Sequence, residues 1–214
     1  MSQAWRGSPA GFWKRYVAYF IDALLVSFVV QILSTPVMLV MGFSDPKKIE
    51  ALVERTLAPA LSGGDALAAM LALWHWLAPL MLVSTLAYAL VAGAYFVWCE
   101  ASPQQATLGK RLIGIKVTDA RGGRPSLSQV FGRFFAASLS WLTLNLGHAL
   151  AAWTPERRAL HDYLAGTRVE NVDPAQARMP VWGWVIVGAN VALFLFFALI
   201  IALVAAAFLM DAFY

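Results

Sequence analysis

The chain has 214 residues, of which 60% are hydrophobic and 13% are charged, and its formal net charge is +4. Soluble domains carry about 25% charged residues, so this composition excludes an ordinary soluble protein and predicts an integral membrane protein in contact with the lipid bilayer. The basic balance does not indicate a nucleic-acid partner, because the Lys and Arg residues stand in loops beside hydrophobic segments.

Three charge-free runs are long enough to cross a bilayer. About 20 apolar helical residues span the ~30 Å hydrocarbon core, and the runs cover residues 23–43, 66–98 and 179–210. The first helix is expected to begin near Val17, which places Asp22 inside it. Because this hydrophobic run is too long for a cleaved signal peptide, we interpret it as a retained signal anchor.

The distribution of Lys and Arg orients the chain. The loop at 99–129 holds five of them, and the positive-inside rule assigns it to the cytoplasm. Two spans earlier, the N-terminus is then also cytoplasmic, and residues 1–16 carry three more basic residues. The loop at 43–65 lies outside and is predicted to form a short amphipathic surface helix, with Asp45 as its N-cap and Pro46 at its first position.

A fourth stretch, residues 134–153, has the length of a span but carries several polar residues. If it crossed the membrane, the four arginines of residues 154–181 would lie outside, against the positive-inside rule. The alternative is a segment that enters the membrane and returns to the same side.

Two segments with strand-like alternation, 112–119 and 166–172, favour that alternative. If they pair with each other, they must share a side of the membrane. We therefore predict a re-entrant helical hairpin over about residues 126–159 that bends near 144–147, and a full span remains the other hypothesis.

The predicted fold is an all-α transmembrane helical bundle, with three full spans, a re-entrant helical hairpin and a small cytoplasmic two-stranded β element. Residues 1–172 form the membrane domain, and residues 173–214 form a linker and an accessory C-terminal transmembrane helix. Gly188 and Asn190 in that helix could pack against a partner helix, or against the chain's own bundle.

Asp22 is a charged residue inside an otherwise apolar predicted span. It follows Arg15 by seven residues, so the two side chains share a helix face and are about 10 Å apart along the axis. A carboxylate in the middle of a span costs about 2.5–3.5 kcal/mol on insertion scales, so we expect Asp22 to face protein rather than lipid.

Three stretches in a fixed order carry a family resemblance over about residues 11–172. They read GFWKRYVAYFIDALLV, ATLGKRLIGIKVTDARGGRPSLSQVFGRFF and RRALHDYLAGTRVE. They resemble the RDD family of bacterial membrane proteins, which is named for one arginine and two aspartates, here Arg15, Asp22 and Asp162. The other matching positions are Thr107, Gly109, Lys110, Gly114, His161, Leu164, Gly166 and Thr167.

The resemblance implies a multipass protein of the bacterial cytoplasmic membrane whose molecular activity is unsettled. It also implies a suggested role in transport of unidentified ligands, with a link to sodium/proton exchange. Two hypotheses follow for the polar residues. In the functional one, Asp22 and Asp162 titrate or bind a cation, while Arg15 or Lys110 supplies a counter-charge. In the structural one, a buried Arg and Asp network fastens the turn that contains His161 to the first helix.

Other site chemistry is not indicated. The three histidines are far apart in the sequence, so neither a metal site nor a cofactor is expected. The ATLGKRL stretch lacks the flanking residues of a phosphate loop, and no catalytic arrangement is recognisable, so we do not expect an enzyme. One chain offers few spans to enclose a path, so a transporter is expected to be a homo-oligomer. The alternative is a scaffold or accessory subunit that binds a membrane partner through the last helix.

Overall fold

The computed structural model describes residues 7–61, 65–143 and 145–213. Three helices in it are long and apolar enough to cross a membrane, and they coincide with the three predicted spans. The chain contacts define two compact units, Met1–Ile21 with Cys99–Tyr214 and, separately, Asp22–Trp98. The predicted division at residue 173 stays a prediction.

The first helix, α1 (Phe12–Met41), begins five residues before the predicted start at Val17. The sequence places Lys14 and Arg15 just before the predicted start of the helix. Both side chains bond to protein groups, and Lys14 Nζ donates to Asn171 Oδ1 at 2.9 Å. The helix can therefore start ahead of the apolar run.

The loop between the first two spans contains the predicted helix, with a π-helical turn in its middle. Asp45 caps α2 (Pro46–Leu52) by accepting a hydrogen bond from Lys47 N at 3.0 Å. A π-helical turn separates α2 from α3 (Ala58–Leu61). The second span, α4 (Ala66–Ala101), follows. The predicted N-cap and the predicted helix are both confirmed, because the backbone stays helical through the π turn.

A two-stranded antiparallel sheet joins distant parts of the chain. It consists of β1 (Ile115–Asp119) and β2 (Thr167–Asn171), and Asp119 lies opposite Thr167. The predicted pairing is thus confirmed. Its consequence is that the chain leaves the sheet after β1 and returns to the same end of the sheet before β2.

The first strand starts later than the sequence alternation predicts. Thr107 caps a short helix, α5 (Leu108–Leu112), whose last residue was assigned to the strand. Gly114 then turns the chain with φ +72°, a conformation that costs glycine little and other residues more. Residues 112–114, which were assigned to the strand, therefore form the end of a helix and a turn.

Between the two strands lie three helices, α6 (Leu127–Leu142), α7 (Leu146–Trp153) and α8 (Leu160–Ala165). The chain turns between α6 and α7, where Asn145 has φ +65°. The turn lies where the sequence predicted a bend, although Leu144 lies outside the described residues, and the re-entrant hairpin stays a prediction. Helix α8 packs against both α6 and α7.

Helix α6 has two distinct faces. Its buried side carries Val130, Arg133 and Ser140, which are spaced at helical intervals. Its opposite side is exposed and apolar, as is the outer side of α7. The exposed residues are Leu127, Phe131, Phe135, Leu139, Leu146 and Trp153.

The N-terminal segment lies beside β2. Ala10 N donates to Val169 O at 2.9 Å, and Asn171 N donates to Ser8 O at 2.8 Å. The apolar core of this unit forms between the sheet and the starts of α1 and the last helix. Its buried members are Ala10, Val17, Ala18, Ile113, Ile115, Val117, Val169 and Val187.

The last helix, α9 (Val181–Phe213), contacts this core through Val187 and is mostly exposed beyond it. Asn190 Nδ2 donates to Ile186 O of its own helix at 2.8 Å. A Cβ atom placed on Gly188 would meet no atom within 4 Å. Within the described residues of its own unit, Gly188 therefore has no close helix neighbour.

Candidate functional site: a buried ion network

Asp162 is fully buried near the start of α8. Its Oδ2 atom accepts hydrogen bonds from Arg15 Nη1 at 2.5 Å and from Ala159 N at 3.0 Å. The second bond satisfies a backbone N–H group at the helix start, as an acidic residue at the third helical position commonly does. Its Oδ1 atom forms an ion pair with Arg133 Nη1. One carboxylate thus connects α1, α6 and α8.

Arg15 reaches Asp162 from the first turns of α1. Its other nitrogens bond to backbone carbonyls, with Nε donating to Ala10 O at 3.1 Å and Nη2 donating to Arg157 O at 2.5 Å. A guanidinium holds several donors in one plane, so it can bind a carboxylate and two carbonyls at once. Arg15 therefore joins the start of α1 to the turn that precedes α8.

Arg133 extends the arrangement from Asp162 to a second carboxylate. Its Nε atom lies 3.2 Å from Oε2 of Glu100, a buried residue at the end of α4. Lys110 Nζ, from α5, forms an ion pair with Oε1 of the same carboxylate. Buried charges of this kind persist when they are paired and hydrogen-bonded.

These five side chains form what we call the buried ion network: Arg15, Asp162, Arg133, Glu100 and Lys110. Charges alternate along it, and each carboxylate lies between two cations. Three cations and two carboxylates give the network a formal charge of +1. All five residues belong to the unit Met1–Ile21 with Cys99–Tyr214.

Several of the positions that carried the family resemblance support the network. Thr107 is fully buried and accepts a hydrogen bond from Lys110 N at 3.4 Å, which fixes the start of α5. Thr167 Oγ1 accepts from Arg133 Nη1 at 3.4 Å and donates to Asp162 Oδ1 at 3.5 Å. Gly166 ends α8 with φ +63°, which turns the chain into β2.

His161 lies beside the network without carrying a charge at neutral pH. Its Nε2 atom is 3.8 Å from Asp162 Oδ1, and among the described residues its buried Nδ1 atom has no hydrogen-bond partner. Its pKa lies well below 6.5, first because the ring is buried and then because four basic neighbours face it, namely Arg133, His148, Arg15 and Lys110. The ring of His148 is 5.0 Å away between centroids.

Asp22 belongs to the other unit, Asp22–Trp98. Its side chain is fully buried, and the Tyr95 hydroxyl of α4 donates to its Oδ1 atom at 2.7 Å. Val26 and Val30, one and two turns further along α1, are also buried. Asp22 therefore faces protein groups rather than an open lipid surface.

The sequence prediction placed Arg15, Asp22, Asp162, Lys110 and His161 in one polar network. The structure brings Arg15, Asp162, Lys110 and His161 together, whereas Asp22 belongs to the other unit. The sequence prediction missed Glu100 and Arg133, which connect Lys110 to Asp162. Arg133 could have been found from the helical spacing that puts it on the buried side of α6. Glu100 gives a weaker signal, as the first charge after the second apolar run. No group of three or more described His, Cys, Asp or Glu residues is arranged to hold a metal ion.

Comparison with known proteins gives a family. The sequence pattern of the RDD family matches residues 9–166. The uncharacterized protein YxaI of Bacillus subtilis (strain 168) is 32% identical over 161 residues, which cover 75% of this chain and 96% of that protein. The uncharacterized protein YckC of the same organism is 34% identical over 77 residues, 34% of this chain and 51% of that protein. No solved structure matches the chain significantly. Because the family match covers most of the chain, this protein belongs to the RDD family.

Proposed function

We propose that this protein transports a small cation, a proton or another small solute across the bacterial cytoplasmic membrane, and that Asp22 is the group that titrates or binds. The observation that carries the proposal is a fully buried carboxylate inside a span, hydrogen-bonded by Tyr95 at 2.7 Å. Ionisable groups inside spans are expensive and commonly mark ion or proton pathways. The proposal assigns no enzymatic reaction to the chain.

The chemistry of Asp22 supplies a coupling mechanism. An ionised carboxylate can bind a cation, whereas a protonated one has lost most of its attraction for it. A proton and a cation would thus compete for the same two oxygen atoms. The Tyr95 hydroxyl donates to one of them at 2.7 Å and holds the carboxylate in a fixed position.

The sheet supports a re-entrant hairpin as part of this proposal. Since Asp119 lies opposite Thr167, the chain between them starts and ends at one place. At about 1.5 Å per residue, α6 is about 24 Å long and α7 about 12 Å, so neither crosses a ~30 Å core. Their exposed apolar sides favour insertion part of the way into lipid.

We further propose that both ends of the hairpin lie in the cytoplasm. Residues 8–10 contact β2, so the N-terminal segment shares its side of the membrane. Residues 1–16, 99–129 and 154–178 together carry twelve Lys and Arg residues, whereas the loop at 43–65 carries three. The positive-inside rule then assigns the larger group to the cytoplasm and the end of α9 to the other side.

The transport proposal is tested by reconstitution. Purified protein in liposomes with imposed pH and cation gradients should show a flux that Asp22→Asn abolishes, because an amide cannot titrate. Asp45→Asn makes the same chemical change at a half-buried helix cap, where asparagine also caps well, and should keep the flux. Full flux in Asp22→Asn would contradict the proposal.

The topology is tested separately with single cysteines in a Cys99→Ser background. Ala175→Cys should resist an impermeant thiol reagent in intact cells, whereas Glu54→Cys, in the outer loop, should react. Ready labelling of Ala175→Cys from outside would contradict the re-entrant hairpin.

A second candidate function is a membrane scaffold or accessory subunit. It is favoured by the observation that each carboxylate of the buried ion network lies between two cations, as a structural fastening requires. In that case Asp22→Asn should change only the amount of folded protein, and wild-type liposomes should show no flux.

A further inference from the structure

A polar stripe runs along an exposed side of α1. Ser27, Gln31 and Thr35 are four residues apart, so they share one helix face, and all three are exposed. The buried residues Val26 and Val30 each precede a member of the stripe by one position, which places them about 100° around the helix. One side of α1 is thus covered by its own chain, while the adjacent polar side is not.

The stripe lies near the middle of the bilayer. The charge-free run at residues 23–43 centres on residue 33, so Gln31 lies about 3 Å from that centre at ~1.5 Å per residue. The hydrocarbon core offers no water to satisfy polar groups, and an amide there costs free energy unless it is hydrogen-bonded. An exposed glutamine at this depth therefore requires a partner outside the unit Asp22–Trp98.

The hydrogen bonds of the stripe leave Gln31 partly unsatisfied. Gln31 Nε2 donates to Thr35 Oγ1 at 3.3 Å, and that hydroxyl donates to Gln31 O at 2.6 Å. Among the described residues, the amide oxygen of Gln31 accepts no hydrogen bond. A glutamine amide has two donors and one acceptor group, so one donor and the acceptor remain available.

We propose that the stripe Ser27, Gln31 and Thr35 is a contact with a second copy of this chain. Two copies inserted in the same orientation are related by a two-fold axis along the membrane normal, so Gln31 meets Gln31. Each amide then donates to the other and accepts from it, which satisfies the remaining groups of both. Small hydroxyl side chains one turn above and below let the two helices approach closely.

Cross-linking tests the geometry. In a Cys99→Ser background, Gln31→Cys in native membranes should form a disulfide-linked dimer on mild oxidation, because the two positions face each other. Leu33→Cys is the matched control, since this residue is also exposed, at nearly the same depth, but points about 200° away. Equal dimer formation at both positions, or none at Gln31→Cys, would overturn the proposal.

Affinity tests the energetic role of the amide. Energy transfer between labelled copies diluted in liposomes reports the dimer dissociation constant, and Gln31→Leu should raise it roughly three- to thirtyfold. Leu33→Ala should leave it within about twofold. Unchanged association of Gln31→Leu would refute the contact, and so would rapid reaction of Gln31→Cys with a water-soluble thiol reagent, which would indicate an aqueous path. Association needs no ion gradient, so its result is independent of the flux of Asp22→Asn.

Discussion

Replacing Arg133 by methionine should destabilise the protein more than the replacement of any other single arginine. Arg133 is 7% exposed and contacts both carboxylates of the buried ion network, Asp162 and Glu100. Removing one partner of a buried ion pair costs about 3–5 kcal/mol. The substitution also removes the excess positive charge of the network, which offsets part of that cost. We therefore expect a loss near the lower end, about 3 kcal/mol.

Thermal unfolding in mild detergent measures this loss. For a chain of this size, 1 kcal/mol corresponds to about 2–4 °C, so Arg133→Met should lower Tm by about 6–12 °C. Arg111→Met is the matched control, because Arg111 is exposed and the change in net charge is the same. A surface substitution of this kind should change stability by less than about 0.5 kcal/mol. If the two variants unfold at the same temperature, Arg133 does not bridge two buried carboxylates.

Two further predictions concern pH and packing. The pKa of His161 is lowered in the folded protein, whereas the unfolded chain accepts a proton near the usual pKa of 6.5, so the free energy of unfolding should fall as the pH drops below about 6.5, by up to 1.4 kcal/mol per pH unit. In His161→Gln, Tm should depend less on pH between pH 7 and 5. The same pH dependence of Tm in both proteins would contradict the burial of His161. Gly147→Ala would place its Cβ 2.9 Å from Ser140 Cβ and should lower the free energy of unfolding by about 1–3 kcal/mol. The control is Gly132→Ala, whose Cβ would meet no atom within 4 Å, and it should raise the free energy of unfolding by about 0.5–1 kcal/mol. Equal effects on Tm would show that α6 and α7 do not pack closely at Gly147.

Local sequence patterns predicted the elements whose physical cause is local. The apolar runs correctly predicted three long helices, and the Asp45–Pro46 pair correctly predicted a helix cap. Period-two alternation correctly predicted the paired strands. The errors also have local causes. Residues 112–114 were assigned to the strand with the alternating residues that follow them, but Gly114 adopts a left-handed turn and the preceding residues complete a capped helix. An alternating pattern does not locate the first residue of a strand to within a few positions.

The network was only half predictable, because the pairing of a charge is decided by distant parts of the chain. Arg15 and Asp162 were found through family resemblance, and 147 positions separate them. Arg133 was not predicted, although helical spacing places it on the buried side of α6. Which carboxylate it meets depends on how α6 packs against α8 and the end of α4, and no short sequence window contains that information.

The hairpin and the network therefore depend on each other. If residues 134–153 crossed the membrane, Asp162 would be carried to the opposite side from Arg15, and β2 would be carried away from β1. Asp162 would then lose both of its arginines, and each strand would lose its hydrogen-bonded partner. A carboxylate left buried without its cations costs several kcal/mol, and unpaired strand groups add to that cost. Two kinds of contact, ionic and backbone, thus favour the same return of the chain, which is why a full span is the weaker hypothesis even though its length and apolar character would allow it.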